Sequence, residues 1–414
     1  MNILKKSPRY LFFLLFALLC SVSNGRVPEK MKIRFIDFYY ENGSPLLWST
    51  ENDTLLKISL IPDYQRYTLN RQTDHWNFRI VADPGTHIRM TIEKMLSDVY
   101  NGREGANWWN YPKGIPCYLS YDYKEWTPVV TRTLPGNVLY LDFVMKESEI
   151  FLSRLPVYSL SNLREFLSGI SGKKGIDIIN AGKTAEGRMA EIIRAGNPEA
   201  KINIIIRARA HPWEPGGNWV LEGFIDRLIS KRNNNKSAQN CFYIIPMANK
   251  DGVARGMTRF SITGTDLNRG WDKEFDPKLD PENYMLDSLI KDMIARGHKP
   301  DLVIDLHNDD KGDIHLATRS KSDIQFRDNM LRFEKLMREK GLFSEDFRYQ
   351  WKEDNNPVVM SIENGLYYRY GIESFVYELN ANWLKGQGVR PSSAEWKKTG
   401  AGLLDVLTEY FRNN

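Results

Sequence analysis

Residues 207–219 read RARAHPWEPGGNW, and they join two segments of opposite character. The run KINIIIRARA, residues 201–210, is strongly apolar and predicts a buried β-strand. The run GNWVLEGFIDRLIS, residues 217–230, has apolar residues at helical spacing and predicts an α-helix. The chain therefore passes from strand to helix through a short turn, a unit from which α/β sheets are built.

His211 and Glu214 stand three residues apart in this turn. An imidazole and a carboxylate so close together at the end of a strand are ligands that a zinc site of the His/Glu type requires. Gly216 and Gly217 follow, and we expect their backbone to bend the chain into the helix. Because a His-x-x-Glu pair occurs by chance in many proteins, the assignment depends on residues further along the chain.

Strand-like and helix-like segments alternate from about residue 155 to the end of the sequence. Apolar strands of this kind are buried on both sides, so the pattern predicts an α/β fold with a mixed, mostly parallel sheet and helices on both faces. We assign residues 153–414 to this domain. In such a sheet, functional groups gather at the carboxyl ends of the strands.

Residues 26–152 alternate apolar and polar positions and show no long helical period. This pattern predicts a small antiparallel β-sandwich domain. HWNFRIVAD and IRMTIEKM are separated by the turn signal DPGT, which predicts a β-hairpin. A loop with Trp108, Trp109 and Tyr111 interrupts the strands; these side chains either stack on a sugar ring or, as is commoner, pack against their neighbours.

Residues 1–25 have the pattern of a secretory signal peptide. Lys5, Lys6 and Arg9 precede the apolar run YLFFLLFALLCSV, and Ser23 and Gly25 supply small residues for cleavage. The apolar run is shorter than the roughly 20 residues that span a bilayer comfortably, although an uncleaved membrane anchor stays an alternative. We expect a secreted or periplasmic protein with no stable membrane span after signal cleavage.

The formal net charge of +5 falls by three when the basic residues of this segment are removed. A charge so close to balance gives no basis for nucleic-acid binding. Of the three cysteines, Cys117 and Cys241 remain, and two cysteines so far apart are not a disulfide framework. We therefore expect buried thiols and no nucleic-acid partner.

Three predicted strands end in groups that bind metals or transfer protons. KINIIIRARA leads to His211 and Glu214, PDLVIDL leads to His307, and SFVY leads to Glu378. The chain has only six histidines, and two of them take this position. Because the carboxyl ends of parallel strands meet at one edge of a sheet, the sequence predicts a site that contains all four groups.

Four motifs occur in the order HPWE, NKDGVARGMTRFSITGTDLNRGW, DLHND and YELN. Together they resemble the zinc metallocarboxypeptidases of the M14 type, and the similarity is greatest to the branch that contains the cytosolic carboxypeptidases and carries an N-terminal β-sandwich. The resemblance covers most of residues 30–414. It implies a carboxypeptidase-like fold, one Zn²⁺ ion and a peptide substrate with a free C-terminal carboxylate.

The resemblance also implies roles in the chemistry. His211, Glu214 and His307 would hold the zinc ion and leave a fourth position to water. Zinc lowers the pKa of such a water to about 7. Glu378 would take the proton from this water and later hand it to the leaving amine.

The resemblance also implies roles for the DLNR segment and for the arginine that precedes it. Arg259 would stabilise the negative oxygen that develops in the transition state. Asn268 and Arg269 would bind the terminal carboxylate of the substrate, which suits a planar guanidinium. Asp266 would orient His211 through its other ring nitrogen.

The chain departs from the family pattern at two positions. The family's substrate-capping tyrosine has no clear counterpart, because none of the candidates lies at the expected distance from Glu378: Tyr367, Tyr368 and Tyr370. Members that trim glutamate carry a basic residue where this chain has Asn364, and the neighbouring Glu363 instead favours a basic or diaminopimelate-type side chain. His315 is near the site in sequence, but we do not expect it to be a fourth ligand.

Two alternatives to a carboxypeptidase stay open. The same scaffold supports zinc amidases that act on cell-wall peptides and deacylases that act on N-acyl amino acids. A binding protein that uses the β-sandwich and has an inactive zinc site is the third interpretation, although the complete set of polar groups argues against it. We therefore predict a secreted or periplasmic zinc carboxypeptidase.

Overall fold

The computed structural model describes residues 32–66, 71–93, 97–100, 103–104, 115–129, 131–136, 138–231, 240–310, 312–317, 323–343, 349–351, 360–384 and 389–412. The signal-peptide pattern and the loop with Trp108, Trp109 and Tyr111 lie outside these residues. Within the described ranges, no helix is both long enough and apolar enough to cross a membrane.

The N-terminal part of the described chain is built from β-strands. They are β1 (Ile33–Asp37), β2 (Leu46–Glu51), β3 (Leu55–Leu60), β4 (Arg71–Gln72), β5 (Asn77–Ala82), β6 (His87–Glu93), β7 (Ser97–Tyr100), β8 (Arg103–Glu104), β9 (Cys117–Ser120), β10 (Thr127–Val129), β11 (Arg132–Leu134), β12 (Val138–Val144) and β13 (Glu149–Ser153). One sheet has the order β1-β5-β13-β9-β10 and a second has the order β11-β12-β6-β3-β2, while β4, β7 and β8 form a small third sheet. The first two sheets share one apolar core, to which both contribute alternate residues. These two sheets are the N-terminal sandwich.

The hairpin predicted for HWNFRIVAD and IRMTIEKM is wrong, because the two strands belong to different sheets. Strand β5 pairs with β1 and β13, whereas β6 pairs with β12 and, in parallel, with β3. The turn between them is a corner that crosses from sheet to sheet, where the Gly85 amide donates to the Met145 carbonyl at 2.8 Å. Alternation shows which face of a strand is buried but does not identify its partner, so two strands that face each other across a sandwich have the same pattern as a hairpin.

The rest of the chain forms a three-layer α/β unit. Its elements are α1 (Leu160–Ile170), β14 (Ile176–Lys183), β15 (Met189–Gly196), β16 (Ile202–Ala208), α2 (Gly216–Lys231), β17 (Asn240–Ile245), α3 (Lys250–Ala254), α4 (Pro281–Ala295), β18 (Leu302–Asp309), β19 (Ile314–Leu316), α5 (Ile324–Glu339), β20 (Tyr349–Trp351), α6 (Ile362–Tyr370), β21 (Ser374–Asn380) and α7 (Ser393–Tyr410). The sheet order is β14-β15-β17-β16-β18-β21-β19-β20. Strands β17, β16, β18 and β21 run parallel at its centre, and antiparallel pairs flank them. This arrangement confirms the predicted mixed, mostly parallel sheet.

The central strands present different residues to the two helical layers, because successive side chains of a strand point to opposite faces. One face packs on α2, α5 and α7 and carries Ile204, Ile206, Ala208, Leu302, Ile304, Leu306, Phe375, Tyr377 and Leu379. The alternate residues Ile205, Val303 and Val376 pack on α4 and α6. The same alternation places Arg207, Asp305, His307 and Glu378 on this second face. We call the two surfaces the apolar face and the mixed face.

Gly216 and Gly217 begin α2 where it approaches the sheet closely. A Cβ atom on Gly217 would lie 3.0 Å from the Cβ atoms of Ala208 and Leu306. Neither glycine has a positive φ; the left-handed residue of the turn is Arg209, with φ of 63°. The chain therefore bends at Arg209 and not at the glycines, where the sequence predicts the bend. The glycines are needed because a side chain there would collide with the sheet.

The N-terminal sandwich touches the α/β unit directly through the backbone. Gly256 has a φ of 62°, and a Cβ atom there would lie 2.1 Å from the Gly43 carbonyl oxygen. Beside it, the Asn42 side-chain amide donates to the Val253 carbonyl at 3.0 Å. The two parts of the chain therefore meet without intervening side chains at this point.

Candidate metal centre and active site

The HPWE turn owes its shape to the arginine that precedes it. Arg209 is buried, and its Nε donates to the Pro212 carbonyl at 2.7 Å while its Nη1 donates to Asn218 Oδ1 at 2.9 Å. A non-glycine residue in the left-handed region is strained, and such strain persists where the surroundings hold it. The two bonds hold the turn so that His211 and Glu214 lie together beyond the end of β16.

Three of the predicted site residues converge to form a group that can bind a metal. Nδ1 of His211 lies 2.7 Å from Glu214 Oε1, and Nδ1 of His307 lies 2.8 Å from Glu214 Oε2. The two Nδ1 atoms are 3.1 Å apart. One donor atom from each residue lies within 4.8 Å of the other two, and all three side chains are buried.

The chemistry of this group fits a zinc ion. Glu214 Oε2 is buried and has no hydrogen-bond partner among the described residues, although the His307 ring nitrogen is close to it. Lone pairs that converge without hydrogen-bond geometry are expected at a metal site, and two imidazoles with one carboxylate are a catalytic zinc ligand set. Burial raises the pKa of Glu214, but the neighbouring charges of His211 and His307 outweigh it and hold the pKa below its usual range. The carboxylate is therefore ionised, as a ligand must be.

The outward-facing nitrogens of both imidazoles contact carboxylates. His211 Nε2 lies 3.1 Å from Asp266 Oδ1, and His307 Nε2 lies 2.8 Å from Asp305 Oδ2. Asp305 in turn accepts from Arg207 Nε at 2.8 Å, so this pair is a buried ion pair on the mixed face. Carboxylates in this position fix the ring orientation of metal-binding histidines.

Glu378 lies beside the metal-binding group. Strands β18 and β21 are parallel neighbours, and their register pairs His307 with Glu378. The Glu378 side chain is 14 % exposed, so it faces a space that solvent reaches. Nε2 of His315 lies 3.8 Å from Glu378 Oε1. His315 is thus a neighbour of Glu378 and is absent from the metal-binding group found among the described residues.

The segment with the predicted substrate-binding residues lies against the same group. Arg259 is buried, and its Nε donates to Asp266 Oδ2 at 2.8 Å. The Asn268 backbone amide donates to Asp266 Oδ1 at 3.0 Å, and Asn268 Oδ1 accepts from the Ile362 amide at 3.0 Å. Arg269 Nη1 donates to the Asn268 carbonyl at 2.7 Å. The structure therefore joins Arg259, Asp266 and Asn268 into one network with His211.

Helix α6 begins next to Asn268 and carries Glu363 in its first turn. Glu363 is 1 % exposed; its Oε1 accepts from Ser361 Oγ at 2.6 Å, and its Oε2 has no hydrogen-bond partner among the described residues. The hydroxyls of two candidate capping tyrosines are engaged elsewhere. Tyr367 donates to Asp323 at 3.2 Å, and Tyr370 donates to Asp287 at 2.8 Å.

Part of the chain that forms this arrangement is similar to a known protein family. The zinc carboxypeptidase family, Peptidase_M14, matches residues 170–293. Over this stretch, which is less than a third of the chain, the sequence is similar to the M14 zinc carboxypeptidases. The matched stretch includes His211, Glu214 and the network around Asp266, whereas His307 and Glu378 follow it. The structure brings these last two residues to the same site as the matched ones.

Two of the curated relatives each match about half of this chain. An uncharacterized protein of Zymomonas mobilis is 27% identical over 212 residues, which are 48% of this chain and 52% of that protein. Cytosolic carboxypeptidase 1 of Mus musculus is 34% identical over 201 residues, which are 48% of this chain and 15% of that protein. The chain therefore spans about half of the first relative and a small part of the second.

Solved structures share the fold over nearly the whole described chain. A metallo-carboxypeptidase from Burkholderia cenocepacia superposes with a TM-score of 0.74 at 20% identity, covering 92% of this chain and 99% of that one. A metallo-carboxypeptidase from Pseudomonas aeruginosa, in complex with (2-guanidinoethylmercapto)succinic acid, gives a TM-score of 0.75 at 20% identity, covering 91% and 98%. These likenesses establish the carboxypeptidase-like fold, including the strands that precede the catalytic part.

The candidate site contains residues to which no sequence motif pointed. Asp305 holds His307, and its position two residues earlier on the same strand was a usable signal, since residues i and i+2 share a face. Asp63 and Gln72 reach the site from the N-terminal sandwich and the small sheet beside it. No local pattern pointed to these two, because they are almost 200 positions away in sequence.

Proposed function

We propose that this chain is a zinc-dependent carboxypeptidase that hydrolyses the C-terminal peptide bond of a peptide. The observation that carries the proposal is the convergence of His211, Glu214 and His307, with Glu378 next to His307 in strand register. Three ligands with a neighbouring carboxylate suit a catalytic zinc site, whereas a structural zinc site has four protein ligands. Residues 153–414 would form the catalytic domain, and residues 26–152 the sandwich domain that precedes it.

The neighbouring side chains supply the acid–base chemistry and the charge stabilisation. A bound zinc ion would polarise the scissile carbonyl and acidify a water molecule. Glu378 would accept the proton of that water and donate it to the amine that leaves. Arg259 would face the oxygen on which negative charge develops, and Asp266 and Asp305 would keep the two imidazoles in their orientation.

The restriction to C-terminal residues would come from Asn268 and Arg269. The bond from Ile362 to Asn268 Oδ1 fixes the side-chain amide, so that its nitrogen is the group available to a substrate carboxylate. The Arg269 guanidinium adds planar, bidentate donors. A free carboxylate at the end of the peptide is thus the feature that these two residues would recognise.

The preferred last residue would carry a basic side chain. Glu363 is buried beside Asn268 and has an oxygen without a hydrogen-bond partner among the described residues, which favours a cation as its partner. The Pseudomonas aeruginosa metallo-carboxypeptidase is in complex with a guanidino compound. A lysine, arginine or diaminopimelate-type residue is therefore the substrate class that Glu363 supports.

The proposal is tested with zinc-loaded protein and peptides that differ only in their last residue, read by mass spectrometry. We expect release of a single C-terminal residue, fastest for Lys or Arg, abolished by a chelator and restored by zinc. His307→Ala should lose the metal and the activity together. Exclusive cleavage of cell-wall peptides or N-acyl amino acids would identify an amidase or deacylase. Absence of both zinc and hydrolysis would leave a binding protein that uses the sandwich.

We also propose that the protein is exported, which rests on the basic and apolar pattern of residues 1–25. Expression of the full chain in a bacterial host, followed by intact-mass analysis of the periplasmic fraction, tests this. The expected product begins close to Arg26. Retention of the full mass in the membrane fraction would instead indicate an anchor.

A further inference from the structure

We infer that Asp63 is a positioning residue for Arg259 of the proposed catalytic site. Asp63 belongs to the β-strand part of the chain, residues 32–153, which we call the N-terminal half. The inference rests on the proposed function, since it concerns the residue that would stabilise the transition state. Asp63 follows strand β3 and lies at the boundary between the N-terminal sandwich and the α/β unit. It does not act on substrate itself; it holds the backbone from which Arg259 projects.

The contact consists of three successive backbone amides that converge on one carboxylate. The amides of Thr258 and Phe260 donate to Asp63 at 3.0 Å and 3.1 Å, and the Arg259 amide donates at 2.6 Å. Consecutive amides that point in one direction form an anion-binding concavity. Residues 258–260 lie outside any helix or strand, so no regular secondary structure holds these donors. The carboxylate from the N-terminal half therefore fixes the local backbone.

The same segment is held from the other side by the HPWE turn. The Trp213 amide, which lies between the two ligands of that turn, donates to the Thr258 carbonyl at 3.1 Å. Residues 258–260 are thus fixed between Asp63 on one side and the metal-ligand turn on the other. A shift of this segment would change the position of Arg259 relative to His211 and Glu214.

The Arg259 guanidinium also receives a contact from the N-terminal half. Its Nη1 donates to Gln72 Oε1 at 3.2 Å, and its Nε donates to Asp266. Asp266 in turn contacts His211. Backbone and side chain of Arg259 are therefore both held by residues of the N-terminal half, and the contacts continue to a metal ligand.

A second anchor holds the far end of the loop. The Arg66 amide donates to the Gly264 carbonyl at 2.9 Å, and its guanidinium contacts Thr265 Oγ1 and Asp280 Oδ1, each at 2.9 Å. Because Arg66 follows Asp63 by three residues, the short segment 63–66 contacts the loop at two points, residues 258–260 and residues 264–265. The placement of Arg259 therefore depends on the N-terminal half.

The test is a double-mutant cycle between Asp63→Asn and Arg259→Ala, with zinc content and thermal stability measured for each variant. We expect Asp63→Asn to lower kcat by about 10- to 100-fold with KM changed little, because a small displacement of a catalytic group has effects of this size. In the Arg259→Ala background the same change should cost less than about threefold. Gln72→Met should also lower kcat, but by a smaller factor. This variant replaces Asp63→Asn in the test if Asp63→Asn does not fold.

Asp122→Asn is the matched control. Asp122 also accepts two backbone amides, from Lys124 at 2.8 Å and Glu125 at 2.9 Å, but within the N-terminal sandwich. It should leave kcat unchanged. Additive losses in the cycle, or a wild-type kcat for both Asp63→Asn and Gln72→Met, would overturn the inference.

Amide hydrogen exchange separates this inference from the proposed function. Asp63→Asn should accelerate exchange of the peptide that covers residues 257–263 by about tenfold or more, whereas Asp122→Asn should not. If the wild type hydrolyses no peptide, the proposed function fails on that result alone. Exchange then decides whether Asp63 holds the Arg259 segment, and unchanged exchange would refute the inference.

Discussion

Strands β16, β18 and β21 contribute side chains to both faces of the central sheet, but the side chains on the two faces differ in chemical type. On the apolar face, the hydrophobic residues of β16, β18 and β21 form one cluster with residues of α2, α5 and α7, and the polar exception is Asn308, which accepts from the Gly216 amide at the start of α2. On the mixed face, Ile205, Val303 and Val376 are followed by polar residues toward the carboxyl ends of the strands. Side chains are almost completely buried on both faces, so the two faces differ in the polarity of their side chains and not in burial.

The difference shows how one strand can carry both stability and function. The apolar face needs correct volume, since any well-packed hydrophobic side chain avoids a cavity. The mixed face needs correct partners, because each buried charge must be paired. Asp305 meets this requirement with Arg207 and His307 together. Substitutions on the two faces should therefore differ in which property they damage.

The largest effect is expected from Glu378→Gln on the mixed face. The amide cannot accept the proton of the attacking water, so kcat should fall by about 10²- to 10⁴-fold. Zinc content and thermal stability should stay close to those of the wild type, because Glu378 is outside the ligand group. Steady-state kinetics and elemental analysis measure both. Turnover at the wild-type rate would remove Glu378 as the base, and Glu409→Gln on α7 is the control.

Asp305→Asn should damage stability and metal binding together. It removes one charge of the buried pair with Arg207 and weakens the contact with His307. Breaking a buried ion pair costs about 3–5 kcal/mol of the free energy of unfolding, and loss of such a histidine contact lowers metal affinity by about 10- to 100-fold. Urea unfolding and zinc competition titrations test this. Asp292→Asn, which breaks the exposed pair with Arg296, should cost less than about 1 kcal/mol.

Ile304→Ala is the corresponding change on the apolar face. Ile304 is completely buried and lies between Ile206 and Phe375 in register. The cavity should lower the free energy of unfolding by about 2–5 kcal/mol, while kcat and zinc affinity of the folded protein should stay within about twofold of the wild type, since the Ile304 side chain points to the face opposite His307. A large loss of zinc affinity would show that the two faces are coupled.

Glu282→Gln should have the smallest effect on stability, and raising the pH should favour the variant over the wild type. Glu282 lies in the first turn of α4, where burial, followed by the charge of Asp251, raises the pKa of its carboxyl from 4.5 to about 7. The folded state then binds more protons than the unfolded state between these values, so wild-type stability should fall as the pH rises from about 4.5 to 7. At pH 8 the Gln variant should be more stable relative to wild type than at pH 5, by about 1–3 kcal/mol. Equal differences at both pH values in thermal unfolding would contradict the shift.

Much of the fold and the metal-binding group could be predicted from the sequence, because the deciding patterns are local. The strand, turn and helix around His211 and Glu214 lie within thirty residues, and the edge of a parallel sheet places His307 with them. The network of Asp266 with His211 depends on the recognisable DLNR segment. The roles of these residues in catalysis stay predictions, which the Glu378→Gln and Asp305→Asn variants test.

The parts that could not be predicted depend on contacts between distant segments. The sequence pattern of β5 and β6 predicts a hairpin, which is wrong, because alternation identifies the buried face of a strand but not its pairing partner. Nothing in the sequence distinguishes Asp63, since an aspartate after a strand is ordinary in a turn. Its function as an acceptor becomes visible only when the amides of residues 258–260 are seen to converge on it.

The backbone contact between Gly43 and Gly256 limits how the two halves of this chain can be exchanged with those of relatives. A methyl group on Gly256 would strike the Gly43 carbonyl, and its φ of 62° disfavours other residues independently. Arg259 is only three residues further on, so a side chain forced into this contact would displace the loop that carries Arg259. Chimeras should therefore keep residues 42–66 and 253–269 from the same parent, as one cassette. Libraries that recombine the halves freely are expected to yield folded but poorly active proteins.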